Sequence, residues 1–395
     1  MLARLAYRLA TEVSPRLLWK AGHLWAWKGS RAVAAYKRRV RRGELFPPFL
    51  FLALTDACNL HCHGCWIDSA GRVSRLAEED VEAVIAAGKR QKSFFYTLLG
   101  GEPMMYPALW DVIGRHPECY FQIITNGLFF DDDSAERIGR LGNVTPLVSI
   151  DGFAANNDDR RGEGTFEQAC EGLGRLKRRK ILFGIATTVT GQNIEEVLAD
   201  AYVEHFIRQG AMYLWYYVYR PVGADPSPEF CVGREQMVEL RRRLLALRQK
   251  HPIILIDTYW DAEGRAVCPA ALGLGFHIGP RGTIEPCPPL SFACESITDD
   301  GDLFAVINGS RFLRGFQQFA AERTRGCVIL EHPHELAQWL REKAAEDTSG
   351  RDALAELEAS VSRTSHHLPG EEIPENSPLY RLLKRRLFFG MGGYG

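Results

Sequence analysis

The chain has 395 residues, 46% of them hydrophobic and 25% charged, the balance of a folded globular protein rather than a disordered or fibrous one. The formal net charge of -1 singles out no class of partner, although residues 1–44 hold eleven Lys and Arg against two Glu, so the remainder is acidic. No run of eighteen apolar residues occurs, the N-terminus lacks the apolar core and cleavage site of a secretory signal, and ten cysteines in this length do not make a secreted disulfide scaffold, so cytoplasmic residence is expected.

In the basic first 45 residues, Leu17-Leu18-Trp19, Leu24-Trp25-Ala26-Trp27 and Val33 interleave with Lys20, Lys28, Arg31 and Lys37 to Arg39. Tryptophan beside cations suits a membrane interface, so peripheral membrane contact is one expectation and a merely solvated arm is the other. No second motif supports nucleic-acid binding, and none is expected. From Phe49 onward, apolar runs that read as buried strands alternate with amphipathic helical patterns. The strands are Phe49–Leu54, Phe94–Leu99, Phe121–Thr125, Leu147–Ile150, Ile181–Val189 and Met212–Tyr219. Helices are expected at Leu76–Arg90, Phe166–Arg179 and Ile194–Arg208. Repeated β-α units predict an α/β fold with a parallel sheet, and six of them a partial (β/α)6 barrel.

Pro221–Pro228 breaks the pattern, and a helix follows over Arg234–Lys250. A turn-rich stretch runs from Cys268 to Cys327, then polar helices over Glu331–Arg363, a loop over Leu368–Pro378, and a short basic amphipathic helix over Leu379–Phe389. The domains expected are a basic amphipathic segment (1–45), a core (46–230), a cysteine-rich region (231–330) and a helical tail (331–395).

Cys58, Cys62 and Cys65 follow the first strand with the spacing C-x3-C-x2-C. In a reducing compartment such clustered thiols more often bind metal than pair with one another. Three thiolates on one loop can hold three irons of a [4Fe–4S] cluster, leaving the fourth open to a small molecule and to one-electron chemistry. The rival reading is a zinc site completed by His61 or His63. The other motifs also fall at the carboxy ends of strands, where parallel sheets bind ligands. They are Gly100-Gly101-Glu102-Pro103, Thr125-Asn126-Gly127, Ser149-Ile150-Asp151-Gly152 and Gly191-Gln192-Asn193.

On these residues the chain resembles the radical S-adenosylmethionine (SAM) superfamily, in the branch with a SPASM or twitch auxiliary-cluster domain, over roughly Phe49 to Cys327. The resemblance implies that SAM chelates the open iron of a [4Fe–4S] cluster held by Cys58, Cys62 and Cys65. Reductive cleavage of SAM would then give a 5′-deoxyadenosyl radical that takes hydrogen from a substrate. It implies that Gly100 and Gly101 let backbone approach the methionine part, with Glu102 and Pro103 completing that motif and Glu102 or its backbone facing the ammonium. Ser149 and Asn193 would meet the ribose or carboxylate, and Arg161 would clamp the carboxylate. Position 64, often aromatic in the family, is glycine, and Trp66 is the substitute face for adenine. Cys268 and Cys287, spaced as C-x13-G-x4-C through Gly282, match the opening of the auxiliary domain. With Cys294 and Cys327 they would ligate a second, auxiliary [4Fe–4S] cluster, with zinc as the rival here too. Should one of the four not be a ligand, substrate could bind the vacant iron.

The expected activity is therefore that of a radical SAM oxidoreductase or maturase, supplied with electrons by a donor such as ferredoxin or flavodoxin. Its expected substrate is a peptide or protein side chain; the alternatives are a lipid or isoprenoid at the membrane surface, or a non-enzymatic metal-binding membrane adaptor. Cys119, Cys170 and Cys231 read as core or surface thiols. No residue is singled out as the one that quenches the radical.

Overall fold

The computed structural model describes residues 1–67, 73–299 and 301–387. Three helical stretches open the chain: α1 (Leu2–Glu12), α2 (Pro15–Lys20), which passes through a π-turn, and α3 (Lys28–Arg41). The sheet then begins with β1 (Leu50–Thr55), α4 (Glu78–Arg90), β2 (Phe95–Gly100), α5 (Leu109–Arg115), β3 (Tyr120–Thr125), α6 (Asp132–Leu141) and β4 (Val144–Ser149). It continues through α7 (Ala154–Arg161), α8 (Thr165–Arg178), β5 (Gly184–Val189), α9 (Ile194–Val197), α10 (Asp200–Gln209) and β6 (Tyr213–Val218). These six strands run parallel in sequential order, as the six β-α units require. Their apolar runs are continuous because helices cover them on one side and the barrel interior on the other.

The sheet extends further than the sequence suggests. After α11 (Arg234–Lys250), β7 (Ile254–Ile256) adds a seventh parallel strand beside β6. On the opposite edge β8 (His277–Ile278) pairs in parallel with β1, and β9 (Ile284–Glu285) returns antiparallel, giving the order β7-β6-β5-β4-β3-β2-β1-β8-β9. The cysteine-rich region is thereby sewn onto the barrel's own sheet. β4 starts three residues before the predicted run and carries Pro146. The missing N–H is tolerated there because pairing with β5 begins only at Leu147. The predicted helix over 194–208 is two helices, broken at Leu198 and Ala199.

The basic arm is bound to the barrel, which accounts for much of its charge. Val13, Leu17, Leu24, Val33 and Tyr36 are buried. Arg4 donates to the carbonyl of Lys250 (2.7 Å), Arg8 to those of Ile207 and Ala211 (both 3.1 Å), Arg16 to Arg140 (3.1 Å), Lys20 to Leu141 (2.6 Å) and Arg39 to Gln91 (2.8 Å). These carbonyls lie at the C-terminal ends of α11, α10, α6 and α4, the negative poles of those helices, where cations are most useful. Arg8 is itself buried and pairs with Glu12. Trp19 and Trp27 remain exposed.

The polar tail also differs from the prediction. Helices cover Pro333–Glu342 and Ala353–Ala359, and Glu346–Asp347 pairs antiparallel with Phe292–Ala293. Pro378–Leu382 begins a last helical turn; residues 388–395, which include the end of the predicted amphipathic helix, lie outside the described residues. Among the described residues no helix is long and apolar enough to cross a membrane.

Candidate active site

The carboxy ends of β1 to β6 open into a cavity of about 330 Å³, of the size that holds small molecules. Cys58, Cys62 and Cys65 line it together with Gly100, Gly101, Ser149, Arg161 and Trp66. The cysteine loop is fixed from several sides. The N–H of Cys65 donates to the carbonyl of Cys62 (3.1 Å), that of His63 to Arg160 (2.8 Å), and the Asn126 amide to Asn59 Oδ1 (2.8 Å). Gly64 has a φ of +64°, and a Cβ there would strike the Tyr219 hydroxyl. Tyr219, arriving just after β6, thus fills the space over position 64 that a side chain on the loop would otherwise take.

The glycines of the second motif are required by the neighbouring chain as well. A Cβ on Gly100 would lie 2.2 Å from the Thr55 carbonyl oxygen, and one on Gly101 would lie 2.3 Å from that of Ala57. Both glycines line the cavity, but it is the chain around the cysteine loop that demands them. Glu102 and Pro103 do not line it. The buried Glu102 carboxylate accepts from the Thr125 hydroxyl (2.7 Å) and from the N–H groups of Asn126 (2.8 Å) and Met104 (3.0 Å), and its own N–H donates to Ala57 (2.8 Å). With side chain and N–H both engaged, Glu102 binds strand ends to one another.

Asn193 is likewise drawn inward. Its amide donates to the carbonyls of Asp151 and Thr188 (both 2.8 Å) and accepts from the N–H of Thr190 (2.8 Å), and it does not reach the cavity. Asp151, fully buried, receives Arg160 and, at 2.7 Å, the Nε–H of Arg161. Burial opposes ionisation of Asp151, but the two guanidinia outweigh it and hold the carboxyl below its usual range. Arg161, which burial would push down, is held above its ordinary value by Asp151 and the thiols of Cys62 and Cys65. Arg160 also lines the cavity, and among the described residues its buried Nε–H has no partner, a donor suited to an anion.

The donor set fits a cationic cluster. Burial, reinforced by Glu102, Cys62 and Cys65, pushes the Cys58 thiol up to about 11; burial and Cys62 push Cys65 up as well. Two thiols raised in this way resist becoming thiolates unless a metal supplies the compensating charge. Among the described residues no three His, Cys, Asp or Glu side chains converge as they would on one bare ion. In a cluster each iron takes one of the cysteines, so their sulfurs need not meet at a point.

Cys268, Cys287 and Cys327 line the same cavity. Burial pushes Cys268 up to about 11, with Cys327 adding to it, and raises Cys287 further with help from Cys268 and Cys327. Cys294 is not brought to them. It is exposed and its thiol points to the Lys343 carbonyl (3.8 Å), because the strand at 292–293 turns away to pair with residues 346–347. Of the four cysteines expected from sequence, Cys268, Cys287 and Cys327 share the cavity and Cys294 does not line it. Cys119 is buried, and Cys170 and Cys231 are partly so; none lines the cavity.

Sequence reading missed several residues of the wall: Arg160, Thr188, Tyr219, Arg220, Tyr259 and His366. The rule that ligands gather at strand ends would have pointed to Thr188, at the end of β5, and to Tyr219 and Arg220, directly after β6. His366 comes from the tail, and no local pattern marks it.

Residues 52–201 match the model of the Radical SAM superfamily. Mycofactocin maturase MftC of Mycolicibacterium smegmatis is 27% identical over 297 residues, 70% of this chain and 74% of that protein. Pre-heme d1 synthase of Dinoroseobacter shibae is 32% identical over 165 residues, 39% of each chain. Among solved structures, Streptococcus suis SuiB bound to precursor peptide SuiA superposes with a TM-score of 0.61 at 16% identity, covering 75% of this chain and 72% of that one, and so shares the fold.

Proposed function

Since this chain belongs to the radical SAM superfamily, and is thus an enzyme whose cofactors are a [4Fe–4S] cluster and SAM, we propose that it is a maturase acting on a peptide or protein side chain. The observation that carries this reading is the shared cavity: Cys58, Cys62 and Cys65 line it together with Cys268, Cys287 and Cys327. A cluster on the first triad, with SAM on its remaining iron, would supply the one-electron cleavage that yields a 5′-deoxyadenosyl radical.

The chain's own residues do the rest. Arg160 and Arg161, anchored by Asp151, present positive charge to a carboxylate beside the first triad. Asn126, Ser149 and Thr188 offer short polar groups to a ribose, and Trp66 and Tyr219 offer aromatic faces to a base. Leu99, Ile124, Ala186 and Val218 make an apolar floor that keeps water from a reactive radical. Electrons come from an external donor such as ferredoxin or flavodoxin.

The peptide assignment draws on MftC, a maturase matched over most of its length, and on the fold shared with a peptide-binding enzyme. The match to pre-heme d1 synthase stops at 39% of either chain and speaks for the common core. Nothing favours the lipid or adaptor alternatives, and Arg4, Arg8, Arg16, Lys20 and Arg39 of the arm are engaged with helix ends. The test is anaerobic reconstitution with SAM and dithionite. The chain should release 5′-deoxyadenosine, and Cys62→Ala should abolish it. Incubation with peptides encoded beside its gene should change the mass of one of them. Absence of 5′-deoxyadenosine from iron-loaded protein would overturn the reading.

A further inference from the structure

The outer face of the N-terminal arm takes no part in the chemistry of the cavity, and the fold fixes where that face points. Lys20 donates to the carbonyl of Leu141 (2.6 Å), Lys28 to that of Glu118 (2.8 Å) and Arg39 to that of Gln91 (2.8 Å). These carbonyls stand just before β4, β3 and β2 respectively. The arm from α2 to α3 therefore crosses the amino ends of three neighbouring strands. Cys58, Cys62 and Cys65 follow the carboxy end of β1, and a strand of six residues spans about 20 Å. The arm thus covers the end of the barrel opposite the cysteine loop. Ala32, Val33, Ala35, Tyr36 and Arg39 form the buried face of α3. From Trp27 onward the other face carries Arg31, Ala34, Arg38 and Arg41, each three or four residues beyond the last and all exposed. Trp19 and His23, also exposed, precede Trp27 at intervals of four, with their rings stacked at 5.3 Å. Trp19 is 67% and Trp27 60% exposed. Among the described residues Arg31, Arg38, Arg41 and the exposed Arg42 have no carboxylate partner. The cations that tie the arm to the barrel and those that do not are thus sorted by face.

We propose that this stripe of Trp19, Trp27, Arg31, Arg38, Arg41 and Arg42 docks on an anionic membrane surface and holds the barrel with its cysteine-lined end turned towards the water. Indole settles at the boundary between headgroups and acyl chains, and a guanidinium beside it reaches the lipid phosphates. A helix packed on the barrel along its inner face presents its outer face to a plane, as an interfacial helix does. The competing occupant is an acidic protein such as the electron donor. Docked here it would stand at the end of the barrel remote from Cys58, Cys62 and Cys65, and its charge would give the two indoles no apolar partner. The orientation bears on the substrate as well. A cavity that faces away from the bilayer is reached from the aqueous side, which suits a soluble peptide and not an acyl chain drawn out of the membrane.

Flotation of the anaerobically reconstituted full-length chain tests this. It should rise with phosphatidylcholine vesicles containing about 30% phosphatidylglycerol at about 0.1 M salt, and not with phosphatidylcholine alone. Raising the salt to about 0.5 M should weaken the binding. Arg31→Gln/Arg38→Gln/Arg41→Gln/Arg42→Gln should weaken it on the order of a hundredfold. Trp19→Ala/Trp27→Ala should weaken it about tenfold. Both sets should keep the urea midpoint of the parent chain, because the side chains removed do not hold the arm in place. Vesicle-bound chain should cleave SAM as fast as free chain. Absence of binding to the anionic vesicles, binding indifferent to both sets of substitutions, or capture of flavodoxin by the stripe in place of vesicles would overturn the docking surface. Suppression of SAM cleavage by the vesicles would overturn the orientation. Failure of the free chain to cleave SAM would instead overturn the reading of the activity and leave the flotation result standing.

Discussion

The carboxylate of Glu102 accepts the backbone N–H of Asn126 at 2.8 Å, joining the segment after β2 to the end of β3 beneath the cysteine loop. The Thr125 hydroxyl and the Met104 N–H share the same carboxylate. Removing it would strand three donors in a buried site, at about 1–3 kcal/mol for each one left unpaired by water or rearrangement. Glu102→Ala should therefore lower the urea midpoint of the iron-free protein markedly. Glu102→Gln, which keeps the acceptor oxygen but adds two donors with nowhere to go, should fall between the two. Equal midpoints for wild type and Glu102→Ala would show that the carboxylate contributes nothing.

A second prediction concerns Gly64 and Tyr219, which compete for one space. Gly64→Phe adds a side chain where the Tyr219 hydroxyl sits and puts it on a residue with φ of +64°. The backbone conformation alone costs about 1–2 kcal/mol for a non-glycine residue. Gly64→Phe should reduce iron retention during anaerobic desalting, and Tyr219→Ala in the same chain should recover part of it. A double variant no better than the single one would mean that the backbone, rather than the ring, sets the requirement.

How much of this was legible beforehand depends on the kind of signal. Buried parallel strands are unbroken apolar runs, so β1 to β6 could be read to within a few residues, Pro146 in β4 apart. The first triad was legible because three cysteines on one short loop are neighbours whatever the fold. That Cys294 stands apart from the other three could not be read, because linear spacing says nothing about which way a two-residue strand turns. Glu102 and Asn193 show the same limit in polar residues. A short polar side chain at a strand end either faces the ligand or ties the strand ends together, and only the positions of its hydrogen-bond partners distinguish the two. The arm's cations read equally well as membrane contacts because the carbonyls they meet are 52 to 246 residues away in sequence.

Asp151 carries the third prediction. It pairs with both Arg160 and Arg161 from a fully buried position. Breaking such a pair leaves uncompensated buried charge and costs about 3–5 kcal/mol. Asp151→Asn should destabilise the iron-free chain by that order and misplace both arginines. The Asp151 carboxyl is held below its usual range, so the fold binds its proton more weakly than the unfolded chain does. Its contribution is complete above about pH 4 and lost as pH falls through the depressed value. The stability difference between wild type and Asp151→Asn should accordingly shrink on acidification below about pH 4. A difference independent of pH would exclude an ionised Asp151.

The arm yields a fourth. Arg8 is buried against the end of α10, with its guanidinium shared among Glu12 and the carbonyls of Pro252, Ile207 and Ala211. Arg8→Ala should cost about 3 kcal/mol, because three carbonyls and a carboxylate lose their donor at once. Removal of residues 1–44 should destabilise the barrel in the same chemical-denaturation assay. Flotation with anionic vesicles separates this from membrane contact: retention of binding by Trp19→Ala/Trp27→Ala would remove the exposed aromatic residues as an anchor.

The last prediction rests on a buried charge imbalance behind β7. Arg241, Arg248 and Lys384 share Asp257 and Glu375, three cations against two anions, with all five side chains buried. Surrendering the Lys384 proton brings the group to neutrality. Burial, which outweighs the pull of Asp257 at 2.9 Å, lowers Lys384 to about 8, and the two arginines push in the same direction. Its folded value thus lies below its unfolded one of about 10.4. The fold then binds this proton more weakly than the unfolded chain does, so the cost of the charged lysine is fully present below pH 8 and is relieved as pH rises towards 10.4. Lys384→Met removes the titrating group while keeping the length of the side chain. The urea-derived stability of wild type relative to Lys384→Met should rise across that window, up to about 3 kcal/mol if the full shift is expressed. A flat difference would mean that Asp257 holds Lys384 protonated and that the imbalance is carried by the chain unchanged.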